Sequence, residues 1–222
     1  MLTLAVDTTA DFGSIALADE IGIREEVLLH APQGFSHVLF GEIESLLSRQ
    51  RVPLPEIDLF SGASGPGSFT GVRVGLSAIK GLAEVLGRRV VAVSNLEALA
   101  EFGESDARAA VIDARRGEVY AALYDGARRQ IVPELVLPFP KFLALLPESE
   151  IEWISQDFEP FLAAMAGTRF AQYPVVKAPR ALAAAIARIA IRRAAEGLAQ
   201  DPAAIEANYV RRSDAELFYK AD

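Results

Sequence analysis

The chain has 222 residues and a formal net charge of −8, with no cysteine. This length suits one large domain or two small ones, and the acidic balance argues against a protein that grips an RNA backbone by itself. The missing cysteines exclude disulfides and thiolate chemistry. No apolar stretch reaches the ~20 residues of a membrane span and no signal peptide is visible, so we expect a cytoplasmic protein that binds no membrane.

The first half of the sequence alternates predicted strands and helices. Apolar runs predict strands at 2–6, 14–18, 22–29, 57–63 and 89–93. Apolar spacing predicts a helix from about Ser36 and a short one over 96–102. A turn built from Gly65, Pro66 and Gly67 precedes a long helix that ends near Leu86, and Ser68 or Thr70 is the predicted cap.

The second half opens in the same way as the first. A strand, an aspartate, a turn and a returning strand occur at 5–19 and recur at 111–125. Further strands are predicted at 109–113, 118–124 and 150–154, and further helices at 141–146, 160–166 and 180–196. Prolines 133, 138 and 140 predict an irregular link. The recurrence suggests a duplicated unit, with lobes at 1–103 and 104–222 and the end of the chain packing back on the first lobe.

The long helix at 71–86 has an unusual surface. Four residues form one narrow polar stripe: Arg73, Ser77, Lys80 and Glu84. The remaining circumference is apolar or small, and one sheet face covers only part of it. A second element must therefore cover the rest, either within this chain or in a partner. We predict that Val74, Ala78 and Leu82 face the partner, because small residues there permit close approach.

Several motifs together resemble the TsaB (YeaZ) family. The resemblance is carried by the segments 4–9, 36–37, 65–83, 93–99, 112–120 and 209–211. It implies an actin-like, duplicated two-lobed α/β fold. It also implies a non-catalytic partner of the TsaD subunit, which transfers a threonylcarbamoyl group to adenosine 37 of tRNA. The ATPase TsaE joins that assembly, and tRNA is contacted indirectly.

The resemblance places the interface with TsaD on the helices at 36–48 and 71–86. The same surface is expected to form a homodimer when TsaD is absent. The predicted interface residues are His37, Phe40, Arg73, Val74, Ser77, Ala78 and Leu82.

Asp7, Thr8 and Thr9 follow a buried strand, where actin-like ATPases hold phosphate and a metal. The turn at Gly65, Gly67 and Ser68 opens a helix, where backbone N–H groups hold anions. The alternative for Asp7–Thr9 is a side chain that caps a hairpin turn, and the alternative for 65–68 is a tight strand-to-helix turn. Because the turn at 114–117 lacks a hydroxyl residue and 154–157 lacks the family's glycine, we expect vestigial contacts only. ATP and metal then belong to partner subunits.

Three arginine groups remain candidates for contact with anions. Arg115 and Arg116 form either an exposed hairpin with internal ion pairs or a positive edge at the cleft between the lobes. Basic clusters also occur at 188–193, where Arg188, Arg192 and Arg193 lie, and at Arg211 and Arg212. A solvated helix face is the favoured explanation of these two clusters.

We predict no catalytic residue and no metal site. The two histidines, His30 and His37, are too far apart for the His-x-x-x-His pair that holds a metal in TsaD. No Ser-His-Asp or His-Glu-x-x-His arrangement supports a peptidase. The alternative function is an active actin-like ATPase or kinase, or a glycoprotease-like peptidase. Tight ATP binding or turnover by the pure chain would favour it.

Overall fold

The computed structural model describes residues 1–210, which divide into two compact units. Met1–Ala98 and Arg180–Asn208 form the first unit, and Leu99–Pro179 with Tyr209 and Val210 form the second. The sequence-based division places residues 180–208 in the second lobe, whereas here they belong to the first unit. Arg211 and Arg212 lie outside the described residues.

Ten strands and six α-helices make up the described chain. The strands are β1 Thr3–Asp7, β2 Phe12–Ala18, β3 Ile23–His30, β4 Leu59–Gly65, β5 Arg89–Ser94, β6 Ala107–Asp113, β7 Glu118–Asp125, β8 Gln130–Pro138, β9 Glu152–Ser155 and β10 Val175–Lys177. The helices are α1 Leu39–Gln50, α2 Phe69–Leu86, α3 Asn95–Ala100, α4 Phe139–Leu143, α5 Glu159–Met165 and α6 Ala183–Ala195. Short 3₁₀ helices occur at Phe35–His37, Leu54–Glu56, Arg169–Gln172 and Pro202–Ala204.

The two units share one strand topology. The first sheet has the order β3-β2-β1-β4-β5, and the second has the order β10-β9-β6-β7-β8. In each sheet the first strand pairs antiparallel with the next along the chain and parallel with the fourth. The orders coincide when β1 to β5 are matched with β6 to β10. The predicted actin-like α/β fold with a duplicated unit is confirmed.

The predicted irregular link before α4 is wrong, because β8 occupies it. β8 is an edge strand that pairs only with β7, and its register shifts around Pro133. A proline lacks the N–H group that a central strand needs, but an edge strand with a bulge tolerates it. The three-residue β10 was also not predicted, since so short a strand has no readable alternation.

Helix α6 packs on the first sheet, although it follows residues 99–179 of the second unit in sequence. The Ser14 hydroxyl on β2 accepts hydrogen bonds from the backbone N–H groups of Leu182 and Ala183, at 3.0 and 2.9 Å. The Glu26 carboxylate on β3 accepts one from Ala184 N–H at 2.7 Å. Side chains of the first sheet thus satisfy the free N–H groups at the start of this helix, where negative charge is favourable.

Helix α2 begins and ends as predicted. The Ser68 side chain accepts a hydrogen bond from Gly71 N–H at 3.3 Å, and Gly87 ends the helix in the left-handed conformation. The apolar arc of α2 packs on β4 and β5 and on the segment around Ile205. Lys80 Nζ donates to the Ile205 carbonyl at 3.0 Å. The second element that covers this helix is therefore, in part, this chain's own segment at 202–208.

Candidate functional site

Three glycines bring the start of α2 against the loop that follows β1. Gly67, Gly71 and Gly75 are spaced four residues apart, so they line one side of the helix start. A Cβ atom at Gly71 would overlap the Thr8 carbonyl oxygen, and one at Gly75 would lie 2.5 Å from Thr8 Oγ1. At Gly67 it would lie 2.5 Å from the Thr9 carbonyl oxygen. Only glycine permits this close approach.

A buried polar network fills the loop itself. Asp7 Oδ1 accepts hydrogen bonds from Thr9 N–H at 2.9 Å and from Thr9 Oγ1 at 2.7 Å. Asn95 Nδ2 donates to Thr9 Oγ1 at 2.7 Å, and Asn95 Oδ1 accepts from Gly65 N–H at 3.1 Å. Thr8 Oγ1 donates to the Gly71 carbonyl at 2.7 Å. The ends of β1, β4 and β5 are therefore joined by one set of hydrogen bonds.

Three N–H groups of the predicted anion-binding turn are used within the protein. Gly65 N–H donates to Asn95, Ser68 N–H donates to the Thr9 carbonyl at 2.7 Å, and Gly71 N–H donates to Ser68. These three N–H donors are thus directed at the protein's own carbonyl, amide and hydroxyl oxygens and not at an anion.

Burial is the main influence on the protonation of the Asp7 carboxyl group. The pKa of its carboxyl is raised, chiefly because burial disfavours the charged form, although hydrogen bonds from Thr9 and Asn95 oppose this. Within residues 1–210, no group of three or more histidine or acidic side chains is placed to hold a metal ion. His30 stacks on the Phe12 ring with centroids 4.5 Å apart, and His37 lies in the 3₁₀ helix before α1.

The equivalent turn in the second unit, between β6 and β7, is exposed to solvent. Arg115 and Arg116 are exposed and have positive φ angles of 63° and 57°. Asp113 Oδ1 accepts a hydrogen bond from Arg115 N–H at 2.8 Å, and an Arg115 guanidinium nitrogen lies 3.6 Å from the same carboxylate. An internal ion pair, as in the first of the two alternatives for this turn, is therefore present.

The predicted partner residues fall into three classes of exposure. His37, Phe40, Arg73 and Ser77 are exposed, Val74 and Leu82 are half-buried against the core, and Ala78 is only 5% exposed. The Arg73 guanidinium lies 3.7 Å from the centre of the Phe69 ring. The exposed part of this region of α2 therefore lies at Arg73 and Ser77, whereas Ala78 is buried within the chain.

Large apolar side chains are exposed along these helices. Val38 and Phe40 at the start of α1 are 37% and 56% exposed, and Phe69 and Val85 at the two ends of α2 are 40% and 85% exposed. The 3₁₀ helix Phe35–His37 packs against α2, so the start of α1 lies near that helix. Exposed apolar side chains on neighbouring helices are typical of a binding surface.

Sequence reasoning missed Asn95 and the glycine spacing. Asn95 follows a predicted strand, and a polar side chain at a strand's carboxyl end was the available signal. The four-residue spacing of Gly67, Gly71 and Gly75 was visible in the sequence. Its target, the loop after β1, was not, because the contact spans about 60 residues of chain.

Comparison with known proteins identifies the family. A family model described as "TsaD: tRNA N6-adenosine threonylcarbamoyltransferase" matches residues 30–210. The TsaB protein of Bacillus subtilis is 34% identical over 68% of this chain and 68% of its own length. TsaB of Haemophilus influenzae is 35% identical over 53% of this chain and 51% of its own length.

A solved structure agrees with these relatives. YeaZ from Pseudomonas aeruginosa superimposes with a TM-score of 0.78 at 26% identity, covering 94% of this chain and 99% of that one. The class is thus an actin-like α/β protein related to the threonylcarbamoyltransferases. Within that class, the chain belongs to the TsaB (YeaZ) family of tRNA threonylcarbamoyladenosine biosynthesis proteins. Among the helices of residues 1–210, none is long and apolar enough to cross a membrane.

Proposed function

We propose that this chain is a supporting subunit for threonylcarbamoyl transfer to tRNA, and that it acts by binding a TsaD-type transferase. The observation that carries the proposal is the exposure of Val38, Phe40 and Phe69 where the start of α1 lies near α2. Their burial against a partner stabilises a complex by removing apolar surface from water.

The fold that this chain shares with the transferase also favours this surface as the interface. Residues 30–210 match the family model of the transferase itself, so the two proteins share elements equivalent to α1 and α2. Two chains of one fold that pair through the same helices form a pseudo-twofold dimer. The same geometry allows a second copy of this chain to replace the transferase, which accounts for the expected homodimer.

The loop after β1 supports a role without catalysis. The groups that would face a phosphate there are used by the Asp7, Thr9 and Asn95 hydrogen bonds and by the glycine contacts of α2. ATP and metal are then held by the transferase and by a TsaE-type ATPase. tRNA is held chiefly by the transferase.

The test introduces one charge into the exposed surface. Phe40→Glu should abolish the complex with the transferase, because a buried unpaired charge costs several kcal/mol (about 3–5). The melting temperature should change little, since Phe40 is 56% exposed. Light scattering measures the complex, and mass spectrometry of digested tRNA from a strain carrying the variant should show loss of threonylcarbamoyladenosine.

Ile131→Glu is the matched control. Ile131 is 51% exposed on β8 in the second unit, so it carries the same chemical change at similar exposure. It should leave the complex and the tRNA modification intact. Normal binding and modification with Phe40→Glu, or a wild-type chain that never binds the transferase, would contradict the proposal.

A further inference from the structure

The side chains of His30 and Arg180 both pack on the ring of Phe12. The His30 and Phe12 rings are stacked, with centroids 4.5 Å apart and planes 15° from parallel. The Arg180 guanidinium carbon lies 4.1 Å from the centre of the Phe12 ring. At this distance a cation is attracted by the face of an aromatic ring. These three residues, all in the first unit, form the ring stack.

The ring stack lies at the carboxyl edge of the first sheet. Phe12 begins β2, and His30 ends β3 directly opposite it. Because β2 runs antiparallel to β1 with Ser14 opposite Asp7, Phe12 lies beyond the end of β1. Strands β4 and β5 run parallel to β1, so their carboxyl ends lie at the same edge. Open α/β sheets bind ligands beyond this edge.

The ring stack is accessible to a ligand, unlike the aromatic groups of a core. His30 and Arg180 are exposed, and Phe12 is half-buried. In the second unit, by contrast, Phe139 and Trp153 pack together inside a buried cluster. Ring contacts there stabilise the fold by removing apolar area from water. A stack at the surface buries less apolar area, and its rings can contact another molecule.

The groups available at this edge suit a flat ligand better than an anion. Thr9 N–H donates to the Asp7 carboxylate, and Ser68 N–H donates to the Thr9 carbonyl, so both are used within the protein. The ring stack instead presents an imidazole that is oriented by Phe12, beside a guanidinium group. A side chain that is already oriented loses less entropy when a second flat group stacks on it.

We propose that His30, oriented by Phe12 and Arg180, stacks on an unpaired nucleobase. Proteins recognise single-stranded RNA by stacking its bases on aromatic side chains, histidine included, and on guanidinium planes. The stacking contact itself does not require net positive charge, so it is compatible with a chain of net charge −8. The source of the base rests on the proposed function: it is an unpaired base of the tRNA that the transferase holds.

The experiment removes the imidazole ring and then replaces it with another ring. Fluorescein-labelled unmodified tRNA is titrated against the complex of this chain with the transferase. His30→Ala should bind the tRNA about tenfold more weakly, because one base loses its stacking partner. His30→Phe keeps an aromatic face and should bind as tightly as the wild type. Both variants should melt at the wild-type temperature, since His30 is exposed.

Two further measurements separate stacking from charge. The salt dependence of tRNA binding should be the same for His30→Ala and the wild type, because a stacking contact releases no counterions. A fully paired RNA duplex should bind both proteins equally. Tyr173→Ala is the matched control, since it removes a half-buried ring that packs on Phe170 in the second unit. It should leave the tRNA affinity unchanged.

Equal tRNA affinities of His30→Ala and the wild type would overturn the proposal. Weak binding by His30→Phe, or an equal loss with Tyr173→Ala, would do the same. Failure of the proposed function gives a different result, because the wild-type chain then does not bind the transferase and the tRNA is titrated against the chain alone. Weaker binding by His30→Ala than by the wild type and His30→Phe still supports the stacking contact there. No difference, or no binding by the wild type, overturns it.

Discussion

The loop after β1 and the turn after β6 occupy equivalent places in two units of one topology, yet their surroundings are opposite. In the first unit, Asp7 is buried in a hydrogen-bonded network beneath α2. In the second unit, Asp113 accepts a hydrogen bond from Arg115 N–H in an exposed turn that contains two arginines. The two units thus share one backbone path, although the loop is buried in the first unit and the turn is exposed in the second.

The helices that follow the fourth strand of each unit explain the contrast. In the first unit, β4 leads into the 18-residue helix α2, whose glycines permit contact with the loop after β1. In the second, β9 leads through Gln156 and Asp157 to α5, which has only 7 residues and contains no glycine. Without glycines, a helix start cannot approach the turn as closely.

The largest expected effect comes from closing the space at the start of α2. Gly71→Ala places a methyl group onto the Thr8 carbonyl, so either the helix or the loop must move. We expect a loss of about 3 kcal/mol or more in the free energy of unfolding, measured by urea denaturation. Gly81→Ala in the same helix has nothing within 4 Å and should stabilise by about 0.5–1 kcal/mol. Equal effects at the two positions would show that the glycine contact does not matter.

Replacing Asp7 or Asp113, which occupy equivalent positions, should lower the free energy of unfolding by less than Gly71→Ala does. The two losses should differ from each other. Asp7→Ala leaves the N–H and hydroxyl donors of Thr9 without their acceptor in a buried loop, at a cost of about 1–3 kcal/mol. Asp113→Ala removes an acceptor from a solvated turn and should cost less than about 1 kcal/mol. Denaturation curves of both variants test this, and a larger loss at Asp113 would reverse the comparison.

The smallest expected effect is a pH dependence that arises from Asp7. Because the folded-state pKa of this carboxyl is raised above 3.8, the folded state binds its proton more tightly than the unfolded state. The resulting stabilisation is complete below pH 3.8 and is lost as the pH rises through the folded-state pKa. Relative to Asp7→Asn, the wild type should therefore lose stability with rising pH, as followed by thermal denaturation.

Asp125 provides a control of opposite sign. The pKa of its carboxyl is lowered, first by the hydrogen bond from Arg129 N–H, so its contribution disappears as the pH falls. Relative to Asp125→Asn, the wild type should gain stability as the pH rises from acid. Parallel trends for the two aspartates would mean that burial does not control Asp7.

Local sequence patterns were sufficient for most of the elements. The apolar runs, Ser68 as a cap and Gly87 as a stop are properties of short segments, so strands β1 to β5 and helix α2 were predictable. The recurrence around Asp7 and Asp113 revealed the duplication for the same reason. The proline-containing β8 was not predictable, since its pairing with β7 outweighs the local signal of Pro133.

Contacts between distant segments were beyond sequence reasoning. Asn95 joins the loop after β1 to the end of β4, and Ser14 binds the start of α6 across 168 residues of chain. The apolar arc of α2 correctly indicated a second covering element, but its position at 202–208 depends on the path of the whole chain. The exposure of Phe40 and Val85 likewise follows from packing and not from composition.

Because α6 packs on the first sheet, it affects the order in which the two units fold during synthesis on the ribosome. Strands β1 to β5 are synthesised before the second unit, yet the face of their sheet that α6 covers remains bare until residues 180–208 have emerged. Domains generally fold as they leave the ribosome. Residues 99–179, the contiguous bulk of the second unit, therefore emerge before the first unit is complete, and the strands that are made earliest gain their covering helix last.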